Sequence, residues 1–484
     1  MRRLFLTAVT AAALIVTLML SGCLGGSAPR PVAPEIATDG SGGAIIVWPA
    51  QKGARAQRVD SQGNCLWGSK GRQIFSYSKH PIVPLAVEDD NGGAILAWTG
   101  ETESTWSVFA WRLDSQGNAV WNEGGICVST GTAEVTQSLI DLASDGSGGA
   151  VLLWYEEWKT DGKWQVTVYA QRVSASGDCL WGEQGVQVCG TSPDPRWAKV
   201  VNDGSGGAVI VWEDNRGPDT DIYAQRISSN GRLLWPDEGV PVASASNAQL
   251  FPQIISDGMG NFIVVWVQSP GASYMVGDAD IYAQKINPEG KPLWTNGKGV
   301  PVCTASGSQE HPQVASDGSG GCMVVWHDTR NRPNRDAYAQ RLSSEGKILW
   351  ETDGVLVGEI LGVDKSSVEA GSYDVQVAGD SAGGAMVVWQ VNPTSATTGA
   401  FKGGEIYAQR LSPTGERLWP EAIRVYENPS LKSQAYSSVV SDGMGGVIIS
   451  SKVGKGRRPD LVYAQRIDSD GNRLWGEEGI RLEQ

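Results

Sequence analysis

Histidine is scarce in this chain, with three among 484 residues. Two of them, His311 and His327, flank a segment that reads as strand, turn and strand. A hairpin centred on Ser319 would set residue 311 opposite residue 327, with Glu310 and Asp328 beside them. Two imidazoles and a carboxylate are ligand types for zinc or another borderline metal, so His311, His327 and Asp328 are the metal candidates. The competing reading is surface histidines, which His80, preceding Pro81 as His311 precedes Pro312, shares. Asp214 to Asp221 is rich in hard oxygen ligands but lacks calcium-loop spacing, which favours ordinary turn chemistry. Trp158, Trp164 and Trp197 stand outside every repeated slot and could stack on sugars or anchor a protein partner; half-buried packing is the alternative. No nucleophile elbow, phosphate loop or HExxH motif occurs, and no carboxylate pair stands out. No catalytic residue is therefore nominated, and no cofactor is expected.

The first residues carry an address. Arg2 and Arg3 precede an uncharged apolar run from Leu4 to Leu20, followed by Ser21, Gly22 and Cys23. A basic start, a short apolar stretch and small residues before a cut site describe a secretory signal. Leu-Ser-Gly-Cys looks like a bacterial lipobox, in which the cysteine is acylated and becomes the first mature residue. The expected organisation is a signal peptide over 1–22, an acylated Cys23 with a flexible tether over 23–33, and a folded unit over 34–484. Such a chain is a monomer held on a membrane by its lipid, on the extracytoplasmic side of the cell envelope. The formal charge of −14 becomes −16 once Arg2 and Arg3 leave, which disfavours nucleic acid. Cys65, Cys127, Cys179, Cys189, Cys303 and Cys322 show no CxxC and no even spacing, and read as small buried thiols.

From Glu35 onward one block recurs eight times. Its clearest copy is Asp203-Gly-Ser-Gly-Gly-Ala-Val-Ile-Val-Trp212, then Tyr223-Ala-Gln-Arg226, then Gly231 and Trp235. From Trp48 to Trp389 the hairpin tryptophan recurs six times, about 57 residues apart, near the length of a kelch blade. Each unit holds four strand candidates, termed a to d. Strand a is short, Asp-Gly-x-Gly-Gly turns into an apolar strand b, strand c carries Tyr-Ala-Gln-Arg, and strand d crosses Trp235. Units that cannot bury their own faces must stack, so the sequence predicts an all-β propeller of four-stranded antiparallel blades. Eight complete blades without a shared one are expected; seven plus an odd unit is the competing count.

Trp212 and Trp235 mark two aromatic slots that fill with tryptophan almost everywhere, blade eight departing with Ser450. Asp203 and Arg226 mark two charged slots present in every unit, with Lys285 once replacing arginine. Recurrence in all blades points to architecture: aromatic packing, and Asp–Arg pairs that lock blades together.

The order Tyr463-Ala464 … Asp468 … Gly471-x-x-x-Trp475 resembles the repeats of quinoprotein-like eight-bladed propellers. Those include the lipoprotein of the outer-membrane barrel-assembly machinery. The resemblance covers about a dozen residues per blade and implies fold and compartment; the Gln-Arg pair is foreign to it, as is one extra residue before the glycine. No adjacent cysteine pair of the kind used by quinone dehydrogenases is present. Sialidase-type Asp-boxes need aspartate two before the glycine, where this chain has Ser61, Ser115 or Ser469.

In such a blade the a–b and c–d turns share one face, and the b–c and d–a loops share the other. The second set varies in length and holds the histidines and unusual tryptophans, so function is expected there. A non-catalytic scaffold binding an envelope protein or a glycan is the expectation. The alternative is a hydrolase or lyase acting on polysaccharide through carboxylates of that face.

Overall fold

The computed structural model describes residues 33–50, 53–75, 84–102, 105–132, 134–189, 195–271, 278–331, 335–358, 371–380, 382–392, 404–427, 434–453 and 461–483. The segment expected to be a signal peptide, Cys23 and His80 lie outside the described residues. The chain forms eight four-stranded antiparallel sheets, each from four consecutive strands. Blade four comprises Arg196–Asn202, Ala208–Asp214, Asp221–Ile227 and Val240–Ala243. Strand a of each blade meets strand a of both neighbours, and Glu35–Thr38 of blade one meets Gln434–Ser441 of blade eight. The ring is closed with whole blades, and the eight inner strands surround a central channel.

Local chemistry explains each blade. Strand b of blade four is buried along its whole length, as expected of an apolar strand covered on both faces. Asp203 caps the a–b turn, its Oδ1 accepting the Ser205 and Gly207 amides at 2.8 Å each. Its Oδ2 accepts Arg226 Nη2 at 2.8 Å. Arg226 Nη1 then reaches Pro288 O of blade five at 3.1 Å. Asp and Arg thus pair within one blade, and the arginine rather than the pair spans the seam. Trp235 donates its indole N–H to the same Pro288 carbonyl at 3.1 Å. One carbonyl per seam therefore receives a cation and an indole from the preceding blade.

Strand d is shorter than expected. Trp235 precedes it, in the c–d connection, and Val240–Ala243 alone forms the strand. Gln225, the residue foreign to quinoprotein repeats, makes up for the missing ladder: its amide donates to Pro236 O and accepts the Trp235 amide. Buried and bonded on both sides, it acts as a side-chain rung between strand c and the connection.

The break in blade eight also differs from expectation. Register places Ser451 opposite Tyr463 as Trp212 stands opposite Tyr223, so Ser451, not Ser450, occupies the tryptophan slot. The vacated volume is filled from blade seven by Tyr426, which is fully buried and accepts a hydrogen bond from Ser451 Oγ at 2.6 Å. Among the cysteines, Cys189, Cys303 and Cys322 are buried as expected, Cys65 and Cys179 are half-buried, and Cys127 is exposed.

Candidate ligand site at the channel mouth

The inner strands of blades four to seven share an irregularity near their start, on the face of the b–c loops. Each contains a β-bulge, and one residue there has positive φ: Trp197 (50°), Phe251 (56°), His311 (52°) and Asp374 (59°). This backbone region disfavours residues with a Cβ, bulky ones most, and costs of order 1–3 kcal/mol each. A bulge re-aims its side chain, and here it holds four consecutive blades in one pattern. Neighbouring blades fix it: Glu213 Oε1 accepts the Phe251 amide at 2.6 Å, and the Tyr155 hydroxyl accepts the Ala198 amide at 3.2 Å.

The result is an aromatic arc. Trp197 meets Phe251 edge-on at 4.8 Å between ring centroids, Phe251 lies 5.7 Å from His311, and His311 lies 6.0 Å from His327. Trp197 keeps 38% of its surface exposed. The arc therefore presents an accessible ring at the entrance while its remaining members support it.

One step further into the channel lies a ring of equivalent positions. Glu35, Asp141, Lys199 and Gln253 each stand opposite a corresponding residue of strand b, namely Val47, Leu153, Val211 and Val265. Lys199 Nζ is 3.8 Å from Asp141 Oδ1. Asp141 Oδ2 also accepts the Val200 amide at 2.9 Å, and Asp374 Oδ2 accepts the Ser437 amide at 2.9 Å. The Glu35 carboxyl is pushed up to about 7 by its burial in the ring; Lys199 opposes this, Asp141 and Asp374 add to it, and a Ser438 hydrogen bond opposes it. Near neutrality one carboxyl thus shares its proton with solvent while it faces two others and one ammonium.

The metal expectation meets a different arrangement. The bulge between Glu310 and Gln313 puts His327 opposite Glu310 instead of residue 311. Asp328 is buried and committed elsewhere: it accepts Trp326 Nε1 at 2.9 Å and Arg330 Nη2 at 2.7 Å. Arg330 in turn lies 3.9 Å over the Tyr338 ring. The same clasp recurs in blade four, with Trp212, Asp214, Arg216 and Tyr223, which accounts for the acidic loop as turn structure. Among the described residues no group of three or more His, Cys, Asp and Glu is placed to hold a metal ion.

Trp158 and Trp164 also differ from expectation. Their segment is a regular hairpin, Ala150–Thr160 and Lys163–Val173, rather than a loop. Trp158 pairs with Gln165, and Trp164 pairs with Lys159, so the two rings face opposite sides of the ribbon. Lys159 Nζ covers Trp164 at 4.7 Å. Of the three unusual tryptophans only Trp197 joins the arc. Sequence reasoning, drawn to unequal loops, passed over Phe251, Glu35, Asp141, Lys199 and Asp374. The signal was present: counted back from each turn aspartate, the fourth and sixth positions change in charge and aromaticity while the third stays apolar in every blade.

The fold defines the chain as an eight-bladed β-propeller. Its sequence matches no protein-family description and no curated protein. Among solved structures, a protein of unknown function from Dyadobacter fermentans is 12% identical, covering 79% of this chain and 93% of that one at a TM-score of 0.39. A Lactobacillus plantarum protein is 14% identical, over 78% and 96% of the two chains, at a TM-score of 0.41. A polysaccharide lyase is 9% identical, over 68% and 86%, at a TM-score of 0.41. Likeness at this level assigns neither activity nor ligand to the present chain.

Proposed function

We propose that this protein is a lipid-anchored, extracytoplasmic binding scaffold that takes a glycan at the channel mouth. The observation that carries the reading is Trp197, an exposed indole held on a strained bulge and continued by Phe251 and His311. Aromatic faces stack on the apolar faces of sugar rings, and carboxylates and an ammonium below them offer hydrogen bonds to hydroxyls. The acidic chain, with Glu35 and Asp141 in the ring and Asp374 on the bulge above it against the single Lys199, favours neutral or cationic sugars over polyanions. The basic start, the apolar run and Cys23 support export and acylation, and the quinoprotein-like repeats agree with an envelope role. A glycan array probed with the protein and with Trp197→Ala tests the reading. Binding that the substitution abolishes supports it; no glycan bound, with an envelope protein captured on the same face, would replace it by a protein scaffold.

A second reading rests on Glu35. Its carboxyl, pushed up to about 7 by burial and set near Asp141 and Asp374, could supply the proton donor that glycoside-cleaving enzymes pair with a second carboxylate. Turnover of a polysaccharide that Glu35→Gln removes while binding persists would favour it over a passive scaffold.

A further inference from the structure

The seam between blades one and two breaks the repeat at four positions that line one pocket. Arg72 opens strand d of blade one, opposite Ala56. The other seven blades hold valine or isoleucine there, as Val240 opposite Ala224. Arg55 stands opposite Trp48, in the slot that Tyr223 marks in blade four and that an aromatic ring fills in every other blade. Phe75 replaces a small residue, Ser129 in blade two and Ala243 in blade four. Trp111 takes the slot of Gln225, a glutamine in all blades but blade two.

The last exchange removes a rung. An indole offers no acceptor to the Trp121 amide, and the buried Trp111 N–H finds no partner of its own among the described residues. Giving up bonds that the other blades keep answers a local demand, not the common architecture. The pocket encloses about 660 Å³, within the usual range of small-ligand sites. Strands c and d carry it, so it lies on the outer half of the ring, apart from the channel. The Arg72 guanidinium stands 5.5 Å over the Trp111 ring, and its Nη2 meets both carboxylate oxygens of Glu123 at 3.0 Å each. The Glu123 side chain is 74% exposed, so water screens this pair and the carboxylate is readily exchanged. Arg55 Nη1 donates to Lys70 O at 2.8 Å, which fixes a second guanidinium in the wall. Phe75 and Trp67 supply apolar surface beside the two cations.

We propose that this pocket is a second ligand site, which takes a small organic carboxylate with a ring-sized apolar body. The carboxylate of the ligand displaces that of Glu123 from Arg72, and Arg55 adds positive charge beside it. The apolar body lies against Phe75 and Trp67. A guanidinium that already holds a carboxylate from its own chain has the geometry for one from outside. The site does not depend on the glycan reading of the channel, and each can fail without the other.

Benzoate is the probe, titrated into the full chain at low salt by calorimetry, with benzamide and inorganic phosphate as comparisons. The wild type should bind benzoate at millimolar concentration or below, and more tightly than either comparison. Glu123→Gln removes the internal competitor and should tighten binding severalfold. Arg72→Val and Trp111→Gln restore the residues of the other blades, which keeps the fold, and each should weaken binding roughly tenfold or more. Trp197→Ala, in the channel, should bind benzoate as the wild type does. Benzoate bound by neither the wild type nor Glu123→Gln, binding that survives Arg72→Val, or benzamide or phosphate held as tightly as benzoate overturns the proposal.

Discussion

The indole N–H of Trp475, in the last blade, donates to the carbonyl of Ser61, in the first, at 3.2 Å. Arg466 Nη1 donates to the same carbonyl at 3.0 Å. Gly63, at φ 86°, lies so close over the Trp475 ring that an added Cβ would come within 2.9 Å of it. The seam that joins the ends of the chain thus repeats the seam between blades four and five. It also explains the spacing of glycine and tryptophan in each repeat: the glycine of one blade covers the tryptophan of the blade before it.

Removing the cation of a seam should cost more than removing the pair. Asp203 is buried beneath Arg226, so Arg226→Ala leaves an uncompensated carboxylate and should destabilise by roughly 3 kcal/mol or more. Asp203→Asn added to Arg226→Ala should recover part of this loss. Urea unfolding of the single and double variants measures it.

Blade eight offers a coupled exchange. Ser451→Trp alone meets Tyr426 in the occupied slot and should be destabilising by about 1–3 kcal/mol. Tyr426→Ala alone empties that volume and should cost roughly 3–5 kcal/mol. Combined, the two restore the tryptophan of the other blades, and their summed cost should shrink by about 1–3 kcal/mol. Thermal melts of the three variants suffice.

Glu35 should make stability depend on pH. Its carboxyl titrates near 7 in the folded chain against an ordinary value of 4.5, so folding favours the protonated form. The contribution is complete below pH 4.5 and fades as pH rises through 7. Glu35→Gln should therefore gain on the wild type between pH 5 and 8, by at most about 1–3 kcal/mol because part of Glu35 meets channel solvent. Parallel melts at both pH values give the difference.

Ligand capture should separate the tryptophans. Trp197→Ala should weaken glycan binding roughly tenfold or more, as expected for an exposed anchoring ring. Trp158→Ala and Trp164→Ala, on opposite sides of the hairpin, should leave it within about twofold. Titration calorimetry with the best array ligand resolves the three, and an anionic oligosaccharide of equal length should bind more weakly than a neutral one.

Much of the scaffold was legible because it repeats. Asp203, Arg226, Trp212 and Trp235 each answer a need common to all blades, so the same residue returns and its role can be read from recurrence. The bulges were not legible, since Asp374 shares the backbone conformation of Trp197, Phe251 and His311 but not their aromatic rings. A one-residue bulge also changes which side chains stand opposite, which is why His327 faces Glu310. Ser451 was misplaced by one position for a related reason: in strand b Ser450 and Ser451 are neighbours, and only the partner Tyr463 tells which of them inherits the slot.

Strand a of blade one runs from the variable face toward the turn face, so Pro34 enters the fold beside the channel mouth. Eleven peptide units separate it from Cys23, a contour of at most about 40 Å. An acyl group on Cys23 would leash the molecule by the rim that carries Trp197, with the turn face pointing away from the bilayer. Ligands of the channel would then be met in the shallow layer between protein and membrane, among surface-attached chains, before those diffusing freely.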